Sequence, residues 1–165
     1  MVVIAAGCAG WFGWSWHDKS HSATLSAAQE RDQALQQGEQ AVLNFNTLDY
    51  RNVAHGLALW KNSSTGTLQQ QLSSPATVKQ FEQTVQKAKT VTSAIILDGA
   101  LTSLNLQAHT ANIIVALQIT VTPAKGSAST KRERLEGALV ETSSVWKLSA
   151  LGQVAVGSTG SSATP

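Results

Sequence analysis

Asn112-Ile113-Ile114-Val115-Ala116-Leu117-Gln118-Ile119-Thr120-Val121-Thr122 decides the fold class, because its apolar residues recur at every second position. Ile113, Val115, Leu117, Ile119 and Val121 are all β-branched or leucine. Successive side chains of a strand point to opposite faces, so this stretch predicts a half-buried strand with its odd-numbered residues against a core. Working outward, Val91–Leu97, Ala100–Leu106, Leu135–Thr142 and Val145–Leu151 read as neighbouring strands. Their separators, Asp98-Gly99, Ala108-His109 and Ser143-Ser144, are short, as antiparallel hairpins require. Pro123–Thr130 is a longer hairpin loop, and residues 157–165, rich in Gly, Ser and Thr, form a disordered tail.

Upstream of the strands the period changes. Residues 19–44 are rich in Ala and Gln, and Ala28, Leu35 and Val42 recur at seven residues beside Ala27, Ala34 and Ala41. One face of a helix is therefore apolar along its length. This predicts a stalk helix that packs on the following domain in preference to a coiled coil, since alanine at half the seam positions buries little. Asn46, Thr47 or Asp49 can cap a second helix running through His55, Leu57, Leu59 and Trp60, until Asn62-Ser63-Ser64-Thr65-Gly66 interrupts it. Ser74-Pro75 starts another, with serine as cap and proline at the first helical position. Val78, Phe81, Val85 and Ala88 share one of its faces, and Lys79, Gln83, Gln86 and Lys87 take the other. Helices first and antiparallel strands afterwards predict an α+β layer structure, with helices on one face of a curved antiparallel sheet over residues 45–156. That order matches the cone-shaped, cystatin-like fold of nuclear transport factor 2, termed NTF2-like.

Composition narrows the function. The chain has 165 residues, 42% of them hydrophobic and only 13% charged, with twelve Lys and Arg against ten Asp and Glu. The basic residues are scattered, so no electrostatic surface for nucleic acid is expected. One cysteine, Cys8, forms neither an internal disulfide nor a zinc cluster. His17 and His21 flank the apolar leader too loosely to form a metal site, and no phosphate loop, His-Glu-x-x-His helix or serine elbow occurs. No cofactor, metal or catalytic residue is therefore assigned. Asp49, Tyr50, His55, Trp60 and Trp146 are candidates to line a pocket in the cone, while Phe81, Leu104 and Trp146 are candidates to fill it.

The first 16 residues, MVVIAAGCAGWFGWSW, carry no charged side chain and hold Trp11, Trp14 and Trp16 near their polar end. Indole rings favour the membrane–water boundary, where the ring is buried and the N–H stays wet. Residues 1–18 are therefore expected to be a transmembrane signal anchor, short for a full span because its 16 uncharged residues make about 24 Å of helix against about 30 Å of hydrocarbon.

The segment Asn46-Thr47-Leu48-Asp49-Tyr50-Arg51, the Ser64-Thr65-Gly66 after it, the Val85-Gln86-Lys87-Ala88 helix and Val145-Trp146-Lys147-Leu148 together resemble the mammalian-cell-entry (Mce) associated membrane proteins of actinobacteria. Gly10-Trp11-Phe12-Gly13-Trp14 is similar to the end of that family's anchor, and the likeness covers about residues 5–156. Leu48, Asp49, Tyr50 and Arg51 are its most specific element. Thr67-Leu68 departs from the family pattern, where an aromatic often follows the Thr-Gly step. The resemblance implies an NTF2-like domain outside the cytoplasm on a single-pass anchor, acting as a non-catalytic scaffold of an envelope complex of lipid-importing, Mce type. Two alternatives stand beside it: a pocket protein binding a lipid or small molecule, or acting as a simple isomerase, and a subunit of a conjugation or secretion apparatus with the same fold.

The anchor is tested by fractionating cells that express the full chain or a form lacking residues 1–16. The full chain is expected in the membrane pellet and the shortened one in the supernatant; equal recovery of both in the soluble fraction would remove the anchor.

Overall fold

The computed structural model describes residues 25–154. The anchor expected at 1–18, with Trp11, Trp14 and Trp16, and the tail expected at 157–165 lie outside them. In chain order the elements are α1 (residues 25–45), β1 (Leu48–Asp49), α2 (Val53–Asn62), α3 (Gly66–Ser73), α4 (Pro75–Ala88), β2 (Thr90–Asn105), β3 (Thr110–Pro123), β4 (Ser129–Thr142) and β5 (Val145–Gln153). The strands form one antiparallel sheet in the order β1-β2-β3-β4-β5, so each is next to its sequence neighbour.

β3 lies at the centre, and its alternation sets which face is inner. Ala111, Ile113, Val115, Leu117 and Ile119 are buried, joined in the core by Leu135 and Leu139 of β4 and by Trp146 and Leu148 of β5. α1 crosses this face with Ala34, Ala41 and Val42 in the same core, so the core begins well upstream of residue 45. The alanine face that is a poor coiled-coil seam serves here for close approach. A Cβ at Gly38 would stand 2.7 Å from Leu139 Cδ1 and 3.0 Å from Ile113 Cδ1. Gln37 ties the same helix to β5, its Oε1 accepting the Trp146 backbone N–H at 2.6 Å.

Three local expectations are corrected. Asp98-Gly99 is not a hairpin turn: β2 runs unbroken through it, with a bulge between Ile96 and Asp98. The bulge absorbs one extra residue, so that Ile96 pairs with Leu117 and Asp98 with Ala116. Asp98 Oδ1 accepts the Gly99 N–H at 2.9 Å, satisfying the aspartate without reversing the chain. Second, Asp49 does not cap a helix. Leu48-Asp49 pairs with Thr92 and Val91 as β1, Asp49 Oδ1 accepts the Arg51 N–H at 2.8 Å, and α2 starts only at Val53. Third, Pro75 occupies the first turn of α4 as expected, but the Ser74 side chain makes no capping hydrogen bond.

The turns at His109 and at Ser143-Ser144 do close hairpins, each of these residues holding a left-handed φ of 53°, 52° and 62° in turn. α3, built from a Gln-rich segment without clear periodicity, was not anticipated. The interruption before it has a structural use: Leu148 N–H donates to Ser63 O at 2.9 Å and Thr65 N–H to Leu148 O at 2.8 Å. The Ser63–Thr65 connection thereby covers part of the β5 edge, and Ser64 is fully buried. Among the described residues no helix is long and apolar enough to cross a membrane.

Leu148, fully buried beside Leu139, is expected to cost about 2–5 kcal/mol when changed to alanine. The exposed Leu106→Ala is expected to stay within about 0.5 kcal/mol of the parent, both read from urea unfolding midpoints.

Candidate functional site

The inner face is not covered to its end. Beyond the C-terminus of α1 a cleft of about 270 Å³ opens between helix and sheet, lined by Phe45, Asn46, Leu48, Trp60, Thr92, Ile119, Val121, Lys131 and Glu133. Its apolar wall is an aromatic stack. Phe45 and Trp60 lie nearly parallel, 5.5 Å between centroids and 11° between planes, and Phe81 of α4 tilts against Trp60 at 5.2 Å and 57°. Such offset pairs add about 0.5–1.5 kcal/mol beyond the area they bury. Trp60 is fixed further by donating its indole N–H to Asn44 O at 2.7 Å, and Asn44 Nδ2 donates to Ser63 Oγ at 2.8 Å. The wall is thus held by the end of α1, by α2 and by α4 together.

The floor comes from the sheet. Lys131 pairs across strands with Ile119 and Glu133 with Leu117, so both charged residues sit on the inner face. Lys131 Nζ donates to Glu133 Oε1 at 2.6 Å, with 57% and 19% of the two side chains exposed. A pair this open is worth about 0–1 kcal/mol and is screened by salt. Its chemical effect is to leave the cleft with a polar, mutually neutralised rim against an apolar wall.

Only Trp60 of the five residues expected to line a pocket lies in this cleft. His55 is exposed on α2. Trp146 is 2% exposed in the core under α1, and its indole nitrogen has no hydrogen-bond partner. Asp49 and Tyr50 are half-buried in the connection between α1 and α2, outside the cleft lining. Leu48 does line the cleft and packs on α2 where Gly56 lacks a side chain. Asp49 and Arg51 close the turn, with 3.7 Å between carboxylate and guanidinium, and Arg51 stacks over the Tyr50 ring at 5.2 Å. The Tyr50 hydroxyl first, then Asp49, hold the exposed Arg51 guanidinium above its ordinary range. The Leu48–Arg51 block therefore shapes a connection, with Leu48 alone reaching the cleft.

Sequence reasoning missed Lys131 and Glu133. The signal was present: Leu135, Gly137 and Leu139 face inward, and the same alternation carried back two and four residues from Leu135 places Glu133 and Lys131 inward too. Beginning the strand at Leu135 concealed it, because charged residues normally mark the outer face. Among the described residues no group of three or more His, Cys, Asp or Glu is placed to hold a metal ion.

The model of the family described as "Uncharacterized protein Rv1363c/MT1408-like" matches residues 1–155. No curated protein matches the sequence. Among solved structures, an IcmL-like type IV secretion system protein from Legionella pneumophila aligns at TM-score 0.61 and 13% identity, covering 75% of this chain and 91% of that one. The periplasmic domain of DotI aligns at 0.58 and 15% identity, covering 73% and 93%. VirB8 of Agrobacterium tumefaciens aligns at 0.56 and 9% identity, covering 78% and 95%. At these identities the likeness establishes a shared fold, the NTF2-like arrangement of helices on a curled antiparallel sheet.

Trp60→Phe keeps the stack but removes the bond to Asn44 O, and is expected to lower stability by about 0.5–1.5 kcal/mol. Trp60→Ala is expected to cost more, since the stack goes with it. Urea unfolding followed by circular dichroism checks the order of the two.

Proposed function

The chain belongs to the Rv1363c/MT1408-like family, and we propose on that premise that it is a non-catalytic binding subunit of a multi-protein assembly in the cell envelope. Residues 1–18 hold it at the membrane, and the domain stands on the far side from the cytoplasm. The observation that carries this is the fold likeness over about three quarters of the chain to a protein named as a type IV secretion system component and to a domain named as periplasmic. The interior adds support. Trp146 lies in the core with Leu104 packed against it, so the chain's own side chains occupy this part of the cone, and a cleft opens at its end. The cleft lining contains no histidine, cysteine or serine, and its one carboxylate is tied to Lys131.

Two forms of the assembly compete. The Leu48–Arg51 block supports an Mce-type, lipid-importing complex, while the fold neighbours support a secretion or conjugation apparatus. We favour the second, because the fold likeness covers about three quarters of the chain and the block is a short connection. A second reading, a small-molecule or lipid pocket, is favoured by the aromatic wall alone. The cleft at about 270 Å³ falls just below the roughly 300–1,000 Å³ of sites that enclose drug-sized ligands.

The proposal is tested by solubilising membranes of expressing cells in mild detergent and sizing the full chain on a native gel. It is expected in a species several times the mass of one chain, unchanged by Glu133→Gln. Migration as a lone subunit overturns the assembly. Saturable quenching of Trp60 emission by decanoate, abolished by Lys131→Met, would establish the pocket reading instead.

A further inference from the structure

The outer face of the sheet carries a feature that the cleft does not use. Register places Ile95 opposite Gln118, Asp98 opposite Ala116, Ala116 opposite Arg134 and Gln118 opposite Arg132, all on the face away from the core. Ile95 and Leu97 are 55% and 47% exposed, close together on one strand. Beside them a hollow of about 580 Å³ is lined by Leu97, Ala116, Arg132, Arg134 and Val154, and also by Glu133, whose carboxylate is held by Lys131. Among the described residues neither arginine has a carboxylate in salt-bridge contact; Arg132 donates only a long bond of 3.5 Å to Gln118 Oε1. Large exposed apolar side chains next to two unpaired guanidinium groups are a combination that recognition surfaces use and plain surfaces avoid.

The same strand has a free edge. On its side away from β3, β2 pairs with β1 only at Val91 and Thr92. From Ser93 onward, among the described residues, no main-chain group on that side has a main-chain partner. Alternating N–H and C=O groups at strand spacing are a ready template for another extended polypeptide backbone. The bulge after Ile96 ends the straight part of this edge near Leu97.

We infer that the free edge at Ser93–Leu97 and the Arg132/Arg134 hollow form a docking surface for an extended segment of a partner protein, apolar where it pairs beside Ile95 and Leu97 and acidic where it continues across the outer face to the arginines on β4. Guanidinium groups bind carboxylates by paired hydrogen bonds, which fixes the charge of the occupant. An anionic membrane surface fits less well, because such surfaces select clusters of about 4–8 basic residues, whereas Asp98 and Glu136 share this face with Arg132 and Arg134. A second copy of β2 fits less well too, since its one acidic residue is Asp98. The inference rests on the reading of the domain as a binding subunit.

The test places a photoreactive amino acid at position 97 of the full chain in cells, with position 145, also exposed, as control. Irradiation is expected to give an adduct from 97 but not 145, which mass spectrometry maps to one acidic-apolar segment of one protein. A synthetic peptide of that segment should bind the purified chain, and the double variant R132E/R134E should weaken it by at least about tenfold while leaving the unfolding midpoint in place. An adduct to lipid or to a second copy, equal adducts from both positions, or unchanged binding by the double variant each overturn the inference. A native complex that persists with no adduct at 97 sinks this surface alone, whereas loss of the complex sinks the assembly itself.

Discussion

The close approach of α1 to the sheet is the contact on which the rest depends. Gly38 lets the helix come within contact of Leu139 and Ile113, and Ala34, Ala41 and Val42 continue the same face. Small residues on the helix and large ones on the sheet interdigitate at the density that folded interiors require. A helix of leucines at these positions would stand farther off and leave β3 and β4 poorly covered. That contact also sets direction, since Gln37 holds one part of α1 to β5 while Phe45 ends at the β1 side.

The cleft follows from where that helix stops. α1 ends before the inner face does, and the carbonyl of Asn44 in its last turn receives the Trp60 indole. Trp60 then packs against both Phe45 and Phe81, so three helices meet in one aromatic cluster. Lys131 and Glu133 are accommodated on the inner face at the open cleft, where each supplies the other's partner. The two faces of the sheet thus differ in kind. The inner one is a core with a small open end, and the outer one carries exposed Ile95 and Leu97 next to two arginines that have no carboxylate partner among the described residues.

The bulges in β2 show how local and global demands were reconciled. Asp98-Gly99 has the residues of a tight turn, yet β3 offers pairing partners along its whole length, and continuing the ladder satisfies more main-chain groups than reversing would. Gly99 leaves room there for the Glu39 side chain of α1, which would have to move aside for a Cβ. The glycine that suggested a turn serves close packing instead. Asp49 is a parallel case, its carboxylate satisfied by a local backbone N–H in a turn, with no helix cap formed.

By itself the sequence determined the helix-then-sheet order, the inner phase of β3, the apolar face of α1 and the turns at His109 and Ser143-Ser144, because each follows from periodicity or from backbone preferences within a few residues. Only the tertiary structure decided that Leu48-Asp49 is a strand, that β2 does not turn, that Trp146 is core while Trp60 is wall, and that Lys131 and Glu133 face inward. Those outcomes depend on which distant residue stands opposite, and a cross-strand partner or the end of a covering helix is not written in any local window.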